Sequence, residues 1–507
     1  MDLKLTRRDF LKLTSLISLA SLQPSKAIIE AFSSIQPTQR RNILIFVFDA
    51  LSARHMPLYG YARNTTPNLT RFAEQATVYH SHHSAGNFTT PGVASLLTGV
   101  YPWTHRAIHL KGTAFKQFIN RNIFSIYPKD GFAFAYTHNP VAELLLQQFR
   151  SRIDLFKPTR DLTIDDPKYS DLLFPSDYNV SSWSEQLILL GEGTSPSSLF
   201  GGLLYRLLRI PAIRKVLNVF GSQFPLGVPN IDDIYFILDD AINWLVDELP
   251  TVQKPYLGYF HILPPHAPYF PRKEFIGKFK DDFLEIISKP ISPFSEGKSD
   301  EILNTSRREY DEYLAYADEE FGRLYDAMAR KGVLDNSIVI VTADHGELFE
   351  RGIEGHLTPA MYEALIHIPL LISIPGQTKR RDIYSNTSGV DLLPTLAKLI
   401  NQAIPNWVEG QVLPGFTDDP TQNERSIFSV EAKSSPKYGT LNKASVALLK
   451  GNYKLIYYRG YENTPAPELY DLSNDPEELQ DLASTEPSIA ADLQQEIEGQ
   501  LRLTNSF

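Results

Sequence analysis

Two stretches of this chain constrain its fold more than any other feature. Asn42-Ile43-Leu44-Ile45-Phe46-Val47-Phe48 runs into Asp49, and Ser337-Ile338-Val339-Ile340-Val341-Thr342-Ala343 runs into Asp344. Both are near-continuous β-branched and aromatic runs. A strand without polar alternation is buried on both faces, as in a parallel sheet with helices on either side. Leu257 to Ile262, after the breaker Pro255, is a third such run. Between them lie helical patterns: Thr66 to Gln75 opens with a Pro in its first turn, and Arg307 to Lys331 carries an apolar stripe at i, i+3/i+4 spacing. The alternation predicts an α/β fold, a doubly wound, mostly parallel sheet flanked by helices, over about residues 40–402. After Gln402 come turn-rich residues, short strands at Ser445 to Leu449 and Tyr453 to Tyr458, and a polar amphipathic helix from about Ser488. These predict a small α+β subdomain over 403–507. The segment 155–235 is irregular and reads as an insertion or lid. Its apolar, arginine-punctuated stretch Ser198 to Arg209 fits either a helix packed on the body or one lying on a membrane surface.

The 507 residues exceed one small core, and 43% hydrophobic with 21% charged residues is an ordinary globular composition. A formal charge of −10 argues against a nucleic-acid partner. The absence of Cys excludes disulfides, thiolate metal sites and a Cys nucleophile. Thr6-Arg7-Arg8-Asp9-Phe10-Leu11-Lys12, the apolar run Leu13 to Leu22 and the small residues around Ser25-Lys26-Ala27 describe a cleavable export signal over residues 1–27. The paired arginines before Phe-Leu-Lys resemble a twin-arginine signal, which implies the twin-arginine export machinery as a partner and a periplasmic or extracellular location. No stretch reaches the roughly 18 apolar residues of a membrane span, so no integral membrane domain is expected.

A carboxylate at the C-terminal end of a buried parallel strand sits where α/β proteins gather their ligands, and Asp49 and Asp344 both do so. Left bare there, each charge costs several kcal/mol or more, so each must be paired or bound to a cation. Asp344-His345-Gly346-Glu347 places an imidazole beside one of them, a hard-metal half-site. In Asn87-Phe88-Thr89-Thr90-Pro91-Gly92-Val93 a pair of hydroxyls precedes a Pro and an apolar helical pattern. Thr89 or Thr90 therefore lies near a helix N-terminus, where free N–H groups favour an alkoxide or a bound oxyanion. Simple N-capping by Thr is the alternative.

These residues, with Ser95-Leu96-Leu97-Thr98-Gly99, Tyr101-Pro102 and His105, resemble the sulfatase branch of the alkaline phosphatase superfamily. So do Pro265-His266-Ala267-Pro268-Tyr269, Tyr362-Glu363 with Ile368-Pro369-Leu370, Val390-Asp391-Leu392-Leu393-Pro394-Thr395 and Glu468-Leu469-Tyr470-Asp471-Leu472. The resemblance runs in family order from about residue 42 to 485. It implies attack by a metal-activated nucleophile on a tetrahedral phosphorus or sulfur centre of an anionic ester. By alignment Thr89 takes the nucleophile position, and Asp49, Asp344 and His345, with Thr89 itself, match the ligands of one divalent metal ion: Mn²⁺, Mg²⁺, Ca²⁺ or Zn²⁺. His266 and His356 are the catalytic histidines expected to handle protons, and His138 and His261 are expected to touch substrate.

The departures from the family pattern are specific. Thr89 and Val93 stand where sulfatases carry the Cys or Ser converted to formylglycine and an Arg; a secondary alcohol oxidises to a ketone, not an aldehyde. Ala50 replaces the second Asp of the N-terminal pair, Thr137-His138-Asn139 stands for a Lys-Trp-His segment, and Thr358, with His356 just upstream, stands near an expected Lys. A Thr nucleophile with Asp, Asp and His resembles phosphonate or phosphodiester hydrolases and phosphoglycerol or phosphoethanolamine transferases of the same superfamily. No Asp lies near Tyr259-Phe260-His261 to build a second metal site. The expectation is a metal-dependent hydrolase of a phosphate, phosphonate or sulfate ester through a covalent Thr89 intermediate. A transferase and a catalytically silent binding protein are the alternatives. His80, His82 and His83 read as exposed or hydrogen-bonded histidines, His105 as an organiser of the turn after the Thr89 helix, Arg54 and His55 as helix-start residues or substrate neighbours, and Asp318 as a solvated or capping carboxylate.

Overall fold

The computed structural model describes residues 41–165, 210–417 (apart from 212, 232, 233, 281 and 283) and 425–505. The export signal, most of the 155–235 segment and the Ser198 to Arg209 stretch lie outside the described residues. Eight strands form the central sheet: β1 (Asn42–Phe48), β2 (Thr77–Tyr79), β3 (Phe132–Thr137), β4 (Leu155–Lys157), β5 (Tyr256–Ile262), β6 (Ser337–Ala343), β7 (Leu370–Ser373) and β8 (Arg381–Ile383). Their order across the sheet is β8-β2-β7-β6-β1-β5-β3-β4, so the two sequence-flagged runs, β1 and β6, lie side by side at its centre. Strands β6, β1, β5, β3 and β4 pair in parallel; β7 alone runs antiparallel to both its neighbours. The mostly parallel sheet expected from the sequence is present. In register, Phe48 faces Ala343 on one side and Ile262 on the other, and Thr137 faces His261, so the C-terminal ends of four strands finish level.

Each face of the sheet is covered by its own helical layer. Helix α1 (Pro67–Ala73), α4 (Leu238–Glu248) and the 31-residue α5 (Asp300–Arg330) pack Leu69, Phe72, Ile242, Tyr310 and Phe321 onto Leu44, Phe46, Phe48, Phe134 and Phe260. Helix α2 (Thr89–Thr98), α3 (Pro140–Gln148) and α6 (Leu392–Leu399) pack Val93, Leu97, Leu145 and Leu393 onto Ile43, Ile45, Val47, Tyr259 and Ile340. Successive strand residues alternate between these layers, the period-two geometry of a pleated strand. Asp318, on α5, is buried and accepts the Asn68 and Leu69 backbone N–H groups at 2.8 Å each, capping α1; burial pushes its carboxyl up to about 6 against those bonds.

The C-terminal residues form an antiparallel sheet, β9 (Ile427–Glu431), β10 (Ala444–Lys450), β11 (Tyr453–Arg459) and β12 (Glu468–Asp471), in consecutive order. One face packs Val446, Leu448, Leu455 and Leu469 against Leu493, Ile497 and Leu501 of α7 (Pro487–Thr504). The other packs Ala447, Leu449 and Ile456 against Met361, Tyr362 and Leu365, in the loop and turn that follow His356. This sheet thus backs one wall of the region at the β6 end. No helix among the described residues is long and apolar enough to cross a membrane.

Candidate active site

Strand phase decides which side chains meet at the level strand ends. Val47, Tyr259 and Ala135 face the α2 layer, so Asp49, His261 and Thr137, two residues on in each strand, face it too, and Asn139 follows in the same phase. Thr89 is the first residue of α2, with Phe88 in the N-cap position and no side chain capping the helix, so the capping reading of Thr89 does not hold. The approach of α2 to β6 depends on Gly92: a Cβ there would lie 2.2 Å from the Asp344 carbonyl oxygen.

One ligand atom each from Asp49, Asp344 and His345 lies within 4.8 Å of the other two, and all three residues are buried. His345 Nε2 stands 3.4 Å from Asp49 Oδ1, 3.5 Å from Asp344 Oδ2 and 3.3 Å from Thr89 Oγ1. Each residue is tied down through its other polar atom. Asp344 Oδ1 accepts the backbone N–H of His345 at 3.0 Å and of Ala50 at 3.3 Å; the latter is possible because Ala50 turns left-handed, with φ 60°, off the end of β1. His345 Nδ1 lies 2.8 Å from the Gly346 carbonyl, which can only accept, so Nδ1 carries a proton and Nε2 is the atom that faces Asp49, Asp344 and Thr89. Asp49 Oδ2 is held by His261 Nε2 at 3.0 Å and by Asn139 Nδ2. The atoms left over, Asp49 Oδ1 and Asp344 Oδ2, are buried without a hydrogen-bond partner among the described residues.

The electrostatics follow from this crowding. Burial opposes the charge of Asp49, yet His266, His261 and His345 hold it well below the usual carboxylate range, while burial and the Asp49 charge push Asp344 up. Against burial, the two carboxylates draw a proton onto His345, raising it to about 9. A divalent cation would satisfy the same excess negative charge. Two orphaned carboxylate oxygens, a hydroxyl and the His345 Nε2, whose proton the cation would displace, fit such an ion, and each ligand has the outer hydrogen bond that metal ligands characteristically carry.

The remaining sequence candidates divide. His356 belongs to the site: its ring centroid is 4.3 Å from that of His345 and 4.9 Å from that of His266. Its Nδ1 lies 2.9 Å from Glu347 Oε1, which orients the imidazole; burial lowers its pKa and Glu347 opposes that. His266 Nδ1 donates to the Ala267 carbonyl at 2.6 Å, leaving Nε2 free. His261 is fully buried and acts on Asp49, with Nδ1 3.2 Å from the Tyr259 hydroxyl, so the structure gives it a partner in the cluster, not an open face for substrate. His138 is out of phase. It follows Phe134 and Tyr136 toward the α4–α5 layer, its ring 4.4 Å from Phe236, and neither ring nitrogen has a hydrogen-bond partner among the described residues. Burial lowers it to about 3.

Asn139 is the residue the sequence reading passed over. Its Oδ1 accepts the Val141 N–H at 2.7 Å and the Ala142 N–H at 3.3 Å, capping α3, so its Nδ2 is forced toward Asp49 and toward Thr89 Oγ1 at 3.5 Å. Counting in twos from β3, with the Asn-Pro cap signal behind it, identifies the residue from sequence alone. Glu347 was visible in the Asp-His-Gly-Glu motif without a role. His80 pairs with Asp382; His82 and His83 are buried against Thr387 and Glu363; Arg54 pairs with Glu477 and His55 with Asp311. None of these reaches the cluster through a hydrogen bond or ion pair. His105 organises the base of α2, with Nε2 2.9 Å from Ser95 Oγ and Nδ1 accepting the Ala107 N–H at 3.0 Å.

Residues 41–402 match the sulfatase family, and residues 358–505 match the N-sulphoglucosamine sulphohydrolase C-terminal family. Arylsulfatase K of Bos taurus is 28% identical over 316 residues, 56% of this chain and 57% of that protein's length. Choline-sulfatase of Rhizobium meliloti is 23% identical over 475 residues, 88% of this chain and 83% of its own. Among solved structures, the phosphonate monoester hydrolase of Agrobacterium radiobacter superposes with a TM-score of 0.65 at 17% identity, covering 92% of this chain and 96% of the other. A 2-O GAG sulfatase superposes with a TM-score of 0.63 at 15% identity, covering 92% and 93%. With the family pattern spanning the whole central sheet and the strand ends that carry Asp49 and Asp344, this chain belongs to the sulfatase family.

Proposed function

We propose that this protein is an exported, metal-dependent hydrolase of a phosphate, phosphonate or sulfate ester, with Thr89 as nucleophile. The observation that carries the reading is the Thr89 hydroxyl, 3.3 Å from His345 Nε2 and beside two buried carboxylates whose inward oxygens have no hydrogen-bond partner among the described residues. Asp49, Asp344, His345 and Thr89 would hold the cation, which supplies ionisation of the hydroxyl and neutralisation of the ester oxygens.

The chain's own residues do the rest. Asn139 Nδ2, fixed by its helix cap, orients Thr89 Oγ1 and donates to it, stabilising it as it loses its proton. Burial of the cluster keeps bulk water from competing with the nucleophile. As the bond from Thr89 Oγ to phosphorus or sulfur forms, the bond to the leaving oxygen breaks. A proton delivered to that oxygen from the His266–His356 pair completes the step; Glu347 on His356 Nδ1 leaves Nε2 as that ring's working atom. Water then cleaves the Thr89 ester. The arylsulfatase, choline-sulfatase and phosphonate hydrolase relatives act on tetrahedral anions of this kind, by their names.

An activated nitrophenyl diester should give a burst of one equivalent of nitrophenol before slow turnover, and Thr89→Ala should abolish it. A burst that survives Thr89→Ala overturns the nucleophile assignment. A panel of phosphate, phosphonate and sulfate esters fixes the ester class, and glycerol adducts among the products would mark a transferase. Export is tested by cell fractionation, since Arg7→Lys with Arg8→Lys should hold the protein in the cytoplasm.

A further inference from the structure

Asn87 stands two residues before Thr89, on the loop that enters α2, and is completely buried. Its Nδ2 donates to the Thr358 carbonyl at 2.7 Å and to the Ala360 carbonyl at 3.1 Å, 271 and 273 residues away in sequence. Both partners can only accept, so chemistry fixes which end of the amide faces them. The other end, Oδ1, is buried without a hydrogen-bond partner among the described residues. An orphaned buried carbonyl offsets much of what two donated hydrogen bonds contribute, and an apolar side chain of the same size carries no such cost. Stability alone is therefore a poor account of an Asn at this position.

The loop that Asn87 grips is the one that carries His356. Its successive residues are held by three different elements. Glu347 Oε1 lies 2.9 Å from His356 Nδ1, Lys433 Nζ donates to the Leu357 carbonyl at 2.7 Å, and Asn87 takes the Thr358 and Ala360 carbonyls. Thr358 Oγ1 accepts the Ala360 N–H at 3.2 Å, closing the turn that spans both of those carbonyls. Among the described residues, the two Asn87 bonds are the hydrogen bonds that join the loop entering α2 to residues 356–360. Thr89 lies two residues beyond one end of this bridge, and His356 two residues before the other. A single short side chain thus ties the nucleophile to the imidazole across two loops. Misplacing a reacting group by about 1 Å can cost on the order of 10²-fold in rate.

We infer that Asn87 is a positioning residue: it holds the His356 ring where Nε2 can pass a proton to the oxygen that leaves as the Thr89 ester forms. This rests on the proposed hydrolase, but the first test does not. In the full-length protein, Asn87→Ala should speed amide hydrogen exchange across residues 356–362 at least tenfold and leave exchange in β10 and β11 unchanged. Stabilisation by Mn²⁺ should match the parent. Asn87→Leu keeps the volume and loses the donors, so it should behave alike even where the smaller side chain unsettles the fold. Turnover then separates positioning from mere support, because phenolate leaves only with a proton and dinitrophenolate without one. On methylphosphonate and sulfate esters, Asn87→Ala should lower kcat/KM about 10- to 100-fold for the phenyl ester and at most about twofold for the 2,4-dinitrophenyl ester. His356→Gln should show the same selectivity, and the double variant should be no slower than His356→Gln alone. Unchanged exchange across 356–362 overturns the inference, as does an equal loss on both leaving groups, additivity with His356→Gln, or loss of the Mn²⁺ stabilisation. If the parent turns over neither ester, the hydrolase and with it the proton role are refuted, while faster exchange would leave the bridge between the two loops standing.

Discussion

Two buried carboxylate pairs, both at the edge of the β6 region, are solved in opposite ways. Glu363 and Glu478 are buried together, and Lys454, with no exposed surface, sits between them at 2.9 and 2.7 Å. Their remaining atoms are satisfied by His83 and by the Glu363 backbone N–H. Asp49 and Asp344 are equally buried and carry the same signature, one carboxyl driven well down and the other up, as Glu363 and Glu478 do. Among the described residues no lysine or arginine pairs with them, and Asp49 Oδ1 and Asp344 Oδ2 have no hydrogen-bond partner. Where the fold needs a closed joint to the C-terminal sheet, the chain supplies its own cation. At the strand ends no described side chain supplies one, and on the proposed reading a cation from solution would take that place beside the Thr89 hydroxyl.

The largest effect that tests this contrast is on turnover. If the open pair exists to serve Thr89, then Thr89→Ala lowers kcat by roughly 10³-fold or more, as loss of a nucleophile does in other covalent enzymes, with the fold intact. Lys454→Met should leave the chemistry of the surviving folded protein within a few-fold of wild type. Equal kinetic damage from both substitutions would erase the distinction.

Stability sharpens the contrast in the reverse sense. Lys454→Met strands two buried carboxylates and should cost about 3–5 kcal/mol in denaturant unfolding. In chelator, Asp344→Asn should stabilise, because it removes an unbalanced charge. Mn²⁺ at a hundred times its Kd should raise wild-type stability by about 2.7 kcal/mol and leave Asp344→Asn unmoved. Destabilisation by Asp344→Asn in chelator would mean that the open pair is neutralised within the chain after all.

A third measurement separates the site from its support. His105 beneath α2 is pushed by burial down to about 3 in the fold, against an ordinary value of 6.5. Its neutral form accepts the Ala107 N–H, which protonation would break. The unfolded chain takes up that proton first, so the stability His105 contributes is complete above pH 6.5 and is lost as pH falls toward 3. Between pH 7 and pH 5 this amounts to about 2 kcal/mol, at one proton and 1.36 kcal/mol per pH unit. His105→Gln, which keeps an amide for Ser95, should flatten that part of the pH dependence by guanidinium unfolding. An unchanged slope would assign the acid sensitivity to other buried histidines, such as His138 and His367.

How far the sequence reveals this arrangement depends on range. Buried parallel strands announce themselves by composition, and β1, β6 and β5 start within one residue of the positions read from the sequence. Helix α5 begins seven residues before Arg307 because its first turns face solvent and bury only Leu303 and Ser306, which leaves no stripe to read. Asp49, Asp344, His345 and Thr89 are legible because each sits at the end of such an element. The family resemblance points to His138, whereas strand phase brings Asn139 to the site. Lys454 and Lys433 were illegible, since their partners lie 91 and 76 residues away and only the docking of the C-terminal sheet brings them together.

Asn139 offers the finest test, because it serves both sides of the comparison: its oxygen closes a helix end and its nitrogen reaches into the open pair. Asn139→Ala removes both functions and should cost about 1 kcal/mol of stability, the ordinary value of an N-cap. Asn139→Ser keeps a hydroxyl that can accept from α3, so it should recover most of that loss, but it is too short to reach Asp49 and Thr89. Turnover should therefore fall by a similar factor, about tenfold, in both variants, as it does when an outer hydrogen bond to a metal ligand is cut, while their unfolding curves differ. If Asn139→Ser turns over like wild type, the amide nitrogen does nothing for Thr89, and Asn139 belongs wholly to the closed, structural side.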